Sequence, residues 1–188
     1  MAEVTRKLSM NSGIMISNTS AYLMRQGDTM RVSTQIFGLV VFLLACYAAA
    51  FIGSQFTTPA TQSEWYAQLY RPPWSPPNWV FGPVWTLLYT LMAIAAWLVW
   101  RKCGVRGALV PLILFFGQLA LNVLWSVIFF GLRLPAVAAG EIVLLWLAIL
   151  ATLIAFWRVT PVAGWLLVPY LLWVTYAATL NFSIAMAI

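Results

Sequence analysis

Five long stretches of this chain carry almost no charge, and each is long enough to cross a lipid bilayer. They run from about Gln35 to Phe56, Trp79 to Trp100, Ala108 to Phe130, Ala136 to Trp157 and Val162 to Met186. A membrane-crossing helix needs about 20 such residues. Transmembrane strands need only about ten and alternate in polarity, which these runs do not. Inside lipid every backbone polar group must be bonded within the protein, so apolar runs of this length become helices. The expected fold class is an all-α membrane protein, a bundle of five transmembrane helices. Composition agrees: 7% of the residues are charged, whereas a soluble domain is nearer a quarter charged.

The connections are short except for residues 57–78, so sequential helices should run antiparallel. Residues 1–33 are polar and read as a disordered tail, and 34–188 as the membrane domain. Arg25, Arg31, Arg101, Lys102, Arg106 and Arg158 fall near the N-terminal side, and Arg71 and Arg133 near the other. The positive-inside rule then puts the N-terminus in the cytoplasm and the C-terminus opposite. The formal charge of +6 reports topology in such a chain, not nucleic-acid binding. Ala45, Ala49 and Gly53 recur every four residues of the first span. Small residues so placed let helices approach closely, within the bundle or across a dimer.

The long connection holds the most constrained backbone, WYAQLYRPPWSPPNWVFGPVW from Trp65 to Trp85. Prolines fix φ and restrict the residue before them, so this reads as a stiff, non-helical cover over the bundle mouth. Trp65, Arg71, Pro76 and Pro77 are its candidate lid residues, and Trp74 and Phe81 candidate contacts beneath. Trp85 and Tyr89 lie one turn apart on the second span. Gln118, Asn122 and Trp125 form one stripe of the third, and Tyr170, Trp173 and Asn181 one of the fifth. Intramembrane amides tend to face protein, and aromatic stripes beside them would line a flat, mostly apolar cavity. Each has a plainer reading: Gln118 and Asn122 as interhelical bonds, and Trp79, Trp100, Trp157 and Trp165 as an interfacial belt. Glu141 is the one acid inside a span. It reaches either Arg133 or water near the interface, or a Trp, Asn or Gln inside the bundle.

Several classes of chemistry lack their residues. Histidine is absent, which removes His-based triads, most zinc sites and the commonest haem ligand. Cys46 and Cys103 are far apart, and no phosphate loop or nucleophile elbow occurs. No metal site, obligatory cofactor or nucleic-acid partner is expected.

The run from Trp65 to Tyr89, together with GQLALNVLWSVIFFG (Gly117–Gly131) and VPYLLWVTYAATLNF (Val168–Phe182), resembles the TspO/MBR family. The resemblance implies a five-helix bundle, commonly a homodimer, that binds porphyrin or haem-type tetrapyrroles, benzodiazepine-type ligands and sometimes sterols beneath the first loop. It implies a pocket lined by Trp85, Tyr89, Asn122, Trp125, Trp173, Ala177 and Leu180. Protoporphyrin IX or haem is the expected ligand, for transport, buffering or sensing. Some members are reported to degrade protoporphyrin in light, which makes Trp85 and Trp173 candidate reactive residues. Two departures matter. The sterol-recognition pattern is missing, since Phe182 stands where a Tyr belongs, so high-affinity cholesterol binding is not expected. A family tryptophan at the start of the fourth span is replaced near Val137.

Overall fold

The computed structural model describes residues 31–187. Its secondary structure is helical throughout the described residues, in the order α1 (Val32–Thr61), α2 (Glu64–Gln68), α3 (Phe81–Gly107), α4 (Leu109–Ser126), α5 (Pro135–Val159) and α6 (Pro161–Met186). A 3₁₀ turn at Asn78–Val80 leads into α3, and a π-helical turn at Val127–Gly131 closes α4. Five of these segments are long and apolar enough to cross a membrane. The protein is therefore an integral, multi-pass membrane protein of the five-helix class. The expected tail lies almost wholly outside the described residues, although Val32 and Ser33 are already helical.

Helix ends follow local chemistry. Pro135 and Pro161 each open a helix, where a missing N–H costs nothing. Lys102 Nζ donates to Val159 O at 2.5 Å, so the basic end of α3 caps the C-terminus of α5. Gly104 interrupts α3 with a φ of 64°, a conformation that glycine adopts without steric cost.

Three expectations need correction. The first helix does not stop at Phe56 but runs through Pro59 to Thr61. Pro59 is tolerated because it falls in the closing turns, where only one backbone bond is lost. The cover is not wholly non-helical either: Trp65 and Tyr66 sit in α2, capped by Ser63, whose Oγ accepts from Tyr66 N at 3.4 Å. Trp100 is not simply a belt residue, since its ring packs on Phe42 at 6.3 Å, over Gly38, where any Cβ would collide with it.

Packing differs along the bundle. In the half away from the cover, Phe42, Cys46, Met92, Ala93, Ala96, Phe115, Ile149 and Phe156 form a solid core. Small side chains on α3 let its neighbours close in. Phe115 stacks on Phe156 at 6.0 Å and meets Phe42 edge-on at 6.2 Å. Gly53 faces Ser126 of α4, so the small-residue stripe of α1 serves packing within the bundle at that point.

The exposed Cys103 and buried Cys46 allow a direct topology test. In intact cells or right-side-out vesicles a membrane-impermeant maleimide should leave the protein unlabelled. After permeabilisation it should label Cys103 alone, and a C103S variant should stay blank. Labelling without permeabilisation would invert the proposed orientation.

Candidate ligand cavity

Above the solid half, the helices part around a cavity of about 410 Å³ beneath the cover. Its size falls within the range of roughly 300–1,000 Å³ common for small-molecule sites. Phe81, Trp85 and Tyr89 of α3 reach it, as do Asn122 and Trp125 of α4 and Trp173 and Ala177 of α6. Trp85 lies 5.5 Å from Tyr89 and 6.2 Å from Tyr170, and Phe81 meets Trp173 edge-on at 5.9 Å. The aromatic residues foreseen on three helices thus line one cavity.

The floor is polar and internally bonded. Tyr89 Oη donates to Asn122 Oδ1 at 2.5 Å, and Asn122 Nδ2 donates to Tyr170 Oη at 3.1 Å. One amide therefore joins α3, α4 and α6. Asn122 carries both of its readings, since it bonds neighbouring helices and faces the cavity. A second amide fixes the wall: Asn181 Oδ1 accepts from Trp125 Nε1 at 3.0 Å, and Asn181 Nδ2 donates to Pro135 O at 2.8 Å. Trp125 is held in orientation by that bond and by Phe129, stacked at 5.1 Å.

Other foreseen residues lie elsewhere. Tyr170 and Asn181 are fully covered and act from behind the lining. Leu180 is half-buried outside it. Gln118 is buried one turn below Asn122, with Nε2 on Met92 Sδ at 3.8 Å and Oε1 unpartnered. Glu141 faces the bundle, 7% exposed, and both carboxyl oxygens lack a bond among the described residues, so none of the protein partners foreseen for it is there. Arg133 instead lies over the Trp65 ring at 5.6 Å, on the short turn after the π-helical segment. The Trp173 Nε1 donor is also covered and unpartnered.

The cover is tied down through Trp74 and Trp65. Tyr176 Oη donates to Trp74 O at 2.8 Å, and the two rings lie 5.8 Å apart. Trp65 packs edge-on against Phe129 at 6.2 Å. Neither Trp74 nor Trp65 touches the cavity; both anchor what lies over it. Arg71, Pro76 and Pro77 line a separate depression on the outer face.

One side of the cavity was not foreseen. Tyr47, Ala50, Ser54, Thr57, Thr58 and Thr61 of α1 line it, with Tyr66 of α2 and Phe130 of the π-helical turn. The signal was present: residues 47, 50, 54, 57, 58 and 61 follow helical spacing on one face. Treating Thr57 as the start of a loop broke that stripe. The π-helical turn had no comparable signal, although such turns recur at functional sites.

Comparison with known proteins bears on what this cavity belongs to. The model of the TspO/MBR family matches residues 42–187. The chain belongs to the TspO/MBR family. It is 44% identical over 157 residues to the tryptophan-rich protein TspO of Chlorobaculum tepidum, covering 81% of this chain and 97% of that protein. With the human translocator protein the identity is 43% over 145 residues, 76% of this chain and 85% of the relative. Protein CrtK of Rhodobacter capsulatus is 42% identical over 146 residues, 77% and 88% of the two chains. Every cavity residue falls inside the TspO/MBR match.

The floor gives a stability test. Replacing Asn122 by Ala leaves two buried hydroxyls short of a partner in a low-dielectric setting. An interhelical bond in membranes is worth ~0.6 kcal/mol on average, and an orphaned buried group costs ~1–3 kcal/mol. Asn122→Ala should therefore lose about 1–3 kcal/mol in reversible unfolding from mixed micelles. Tyr89→Phe in the N122A background should cost little more, because their bond is already gone. Fully additive losses would mean that the two residues are not coupled.

Proposed function

We propose that this TspO/MBR protein binds a tetrapyrrole, protoporphyrin IX or haem, in the cavity beneath its cover, and transports, buffers or senses porphyrin. The observation that carries this reading is the convergence of Phe81, Trp85, Trp125 and Trp173 on one largely apolar space above a polar floor. A porphyrin is a broad aromatic disc with two acidic arms on one edge. Aromatic contacts add ~0.5–1.5 kcal/mol each beyond area burial, and the pinned cover excludes water from the ring. Arg71, in the cover, would supply the cation for the acidic edge.

The lining favours binding over acid–base chemistry. Among its residues only tyrosines titrate, and none is a carboxylate, amine or thiol. Light-driven degradation of bound porphyrin would draw on the ring's own photochemistry, with Trp85 and Trp173 as the nearest oxidisable indoles. A homodimer is part of the proposal.

Titration in detergent tests the reading. Protoporphyrin IX should quench the tryptophan emission saturably. Trp85→Ala should weaken binding roughly five- to thirty-fold, ~1–2 kcal/mol, and Ala177→Phe should weaken it by filling the slot. The lining offers no imidazole, so the iron-free ring and haem should bind with comparable affinity. A flat titration of the folded wild type would overturn the proposal.

A further inference from the structure

The outer face of the cover carries a depression of about 730 Å³, lined by Arg71, Ser75, Asn78, Trp79 and neighbouring residues. Asn78 also lines the inner cavity, so this one residue borders both spaces. Tyr66 stands at the same boundary: its ring faces the cavity, and the Arg71 guanidinium lies over it at 5.3 Å. Arg71 makes no ion pair among the described residues, and it is exposed. Ser75 Oγ is covered and has no hydrogen-bond partner among the described residues. An unpartnered covered hydroxyl is a costly state that is relieved when the side chain turns toward an incoming acceptor. Pro72, Pro73, Pro76 and Pro77 hold the backbone between these groups, so little order has to be gained on binding.

We infer that this depression is a second subsite, an anion-recognising vestibule in which Arg71, Ser75 and Asn78 take the carboxylate edge of the ligand before its ring passes Asn78 into the cavity. The ligand then enters from the aqueous face of the cover, and a planar carboxylate is captured faster than the same plane without charge. The planar acid itself rests on the tetrapyrrole reading. The vestibule adds the route and the order of events. A guanidinium at a rim acts chiefly on the association rate and its salt dependence.

Stopped-flow tryptophan quenching in zwitterionic nanodiscs separates the two readings. The ligands are protoporphyrin IX and its dimethyl ester, which keeps the ring and loses both charges. For the free acid, association should slow roughly three- to ten-fold in Arg71→Gln and with rising salt. Arg71→Lys should recover most of the rate, and the ester should respond to neither change. Equal, salt-independent rates for acid and ester in the wild type would overturn the vestibule while leaving the cavity intact. So would an equal slowing of both ligands by Arg71→Gln, which would mark a purely structural arginine. Quenching by neither ligand would sink the tetrapyrrole reading and the vestibule with it.

Discussion

A polar group inside a bilayer has no water to fall back on, and the amide of Asn122 turns that constraint into architecture. It accepts from Tyr89 and donates to Tyr170, so one side chain fixes the spacing of three helices at one depth. Below that level alanines, branched side chains and packed phenylalanine rings fill the interior. Above it the helices diverge, and the rings of Trp85, Trp125 and Trp173 occupy the walls of the space that remains. The hollow exists because the clamp sits at its base, and Asn181 repeats the device by holding Trp125 to the start of α5.

The cover depends on the same logic in a wetter setting. Its prolines cannot donate backbone bonds, so it relies on a few external anchors. Tyr176 reaches the carbonyl of Trp74, while Arg133 and Phe129 hold Trp65 from the adjoining turn. Arg133 takes a left-handed backbone conformation there, with a φ of 58°. That geometry lets the chain leave the π-helical turn and enter α5 within a few residues. Phe129 and Phe130, consecutive in the helical turn, point in different directions, one toward Trp65 and the other toward the cavity.

The bundle was legible because lipid permits few alternatives: an uncharged run of about 20 residues has one stable backbone. The aromatic wall was legible because helical spacing puts Trp85 with Tyr89, and Asn122 with Trp125, on shared faces. What escaped depended on partners in space. The expected end of α1 at Phe56 hid the hydroxyl stripe from Ser54 to Thr61. Glu141 was given protein partners by chain proximity or polarity, and its buried carboxyl bonds to none of them among the described residues. Trp74 looked like a ligand contact, but its carbonyl and ring serve the cover. Spacing reports the face on which a side chain lies; it does not report what stands opposite.

The central claim is that indoles from separate helices form one slot whose base is the Asn122 clamp. An experimental structure of the protein with protoporphyrin IX tests it most directly. The account predicts ring density between Trp85, Trp125 and Trp173, with one edge resting above Asn122 and the acidic edge toward Arg71. Ring density on the outer surface of the bundle, beside Trp79 or Trp165 and with the slot unoccupied, would contradict it.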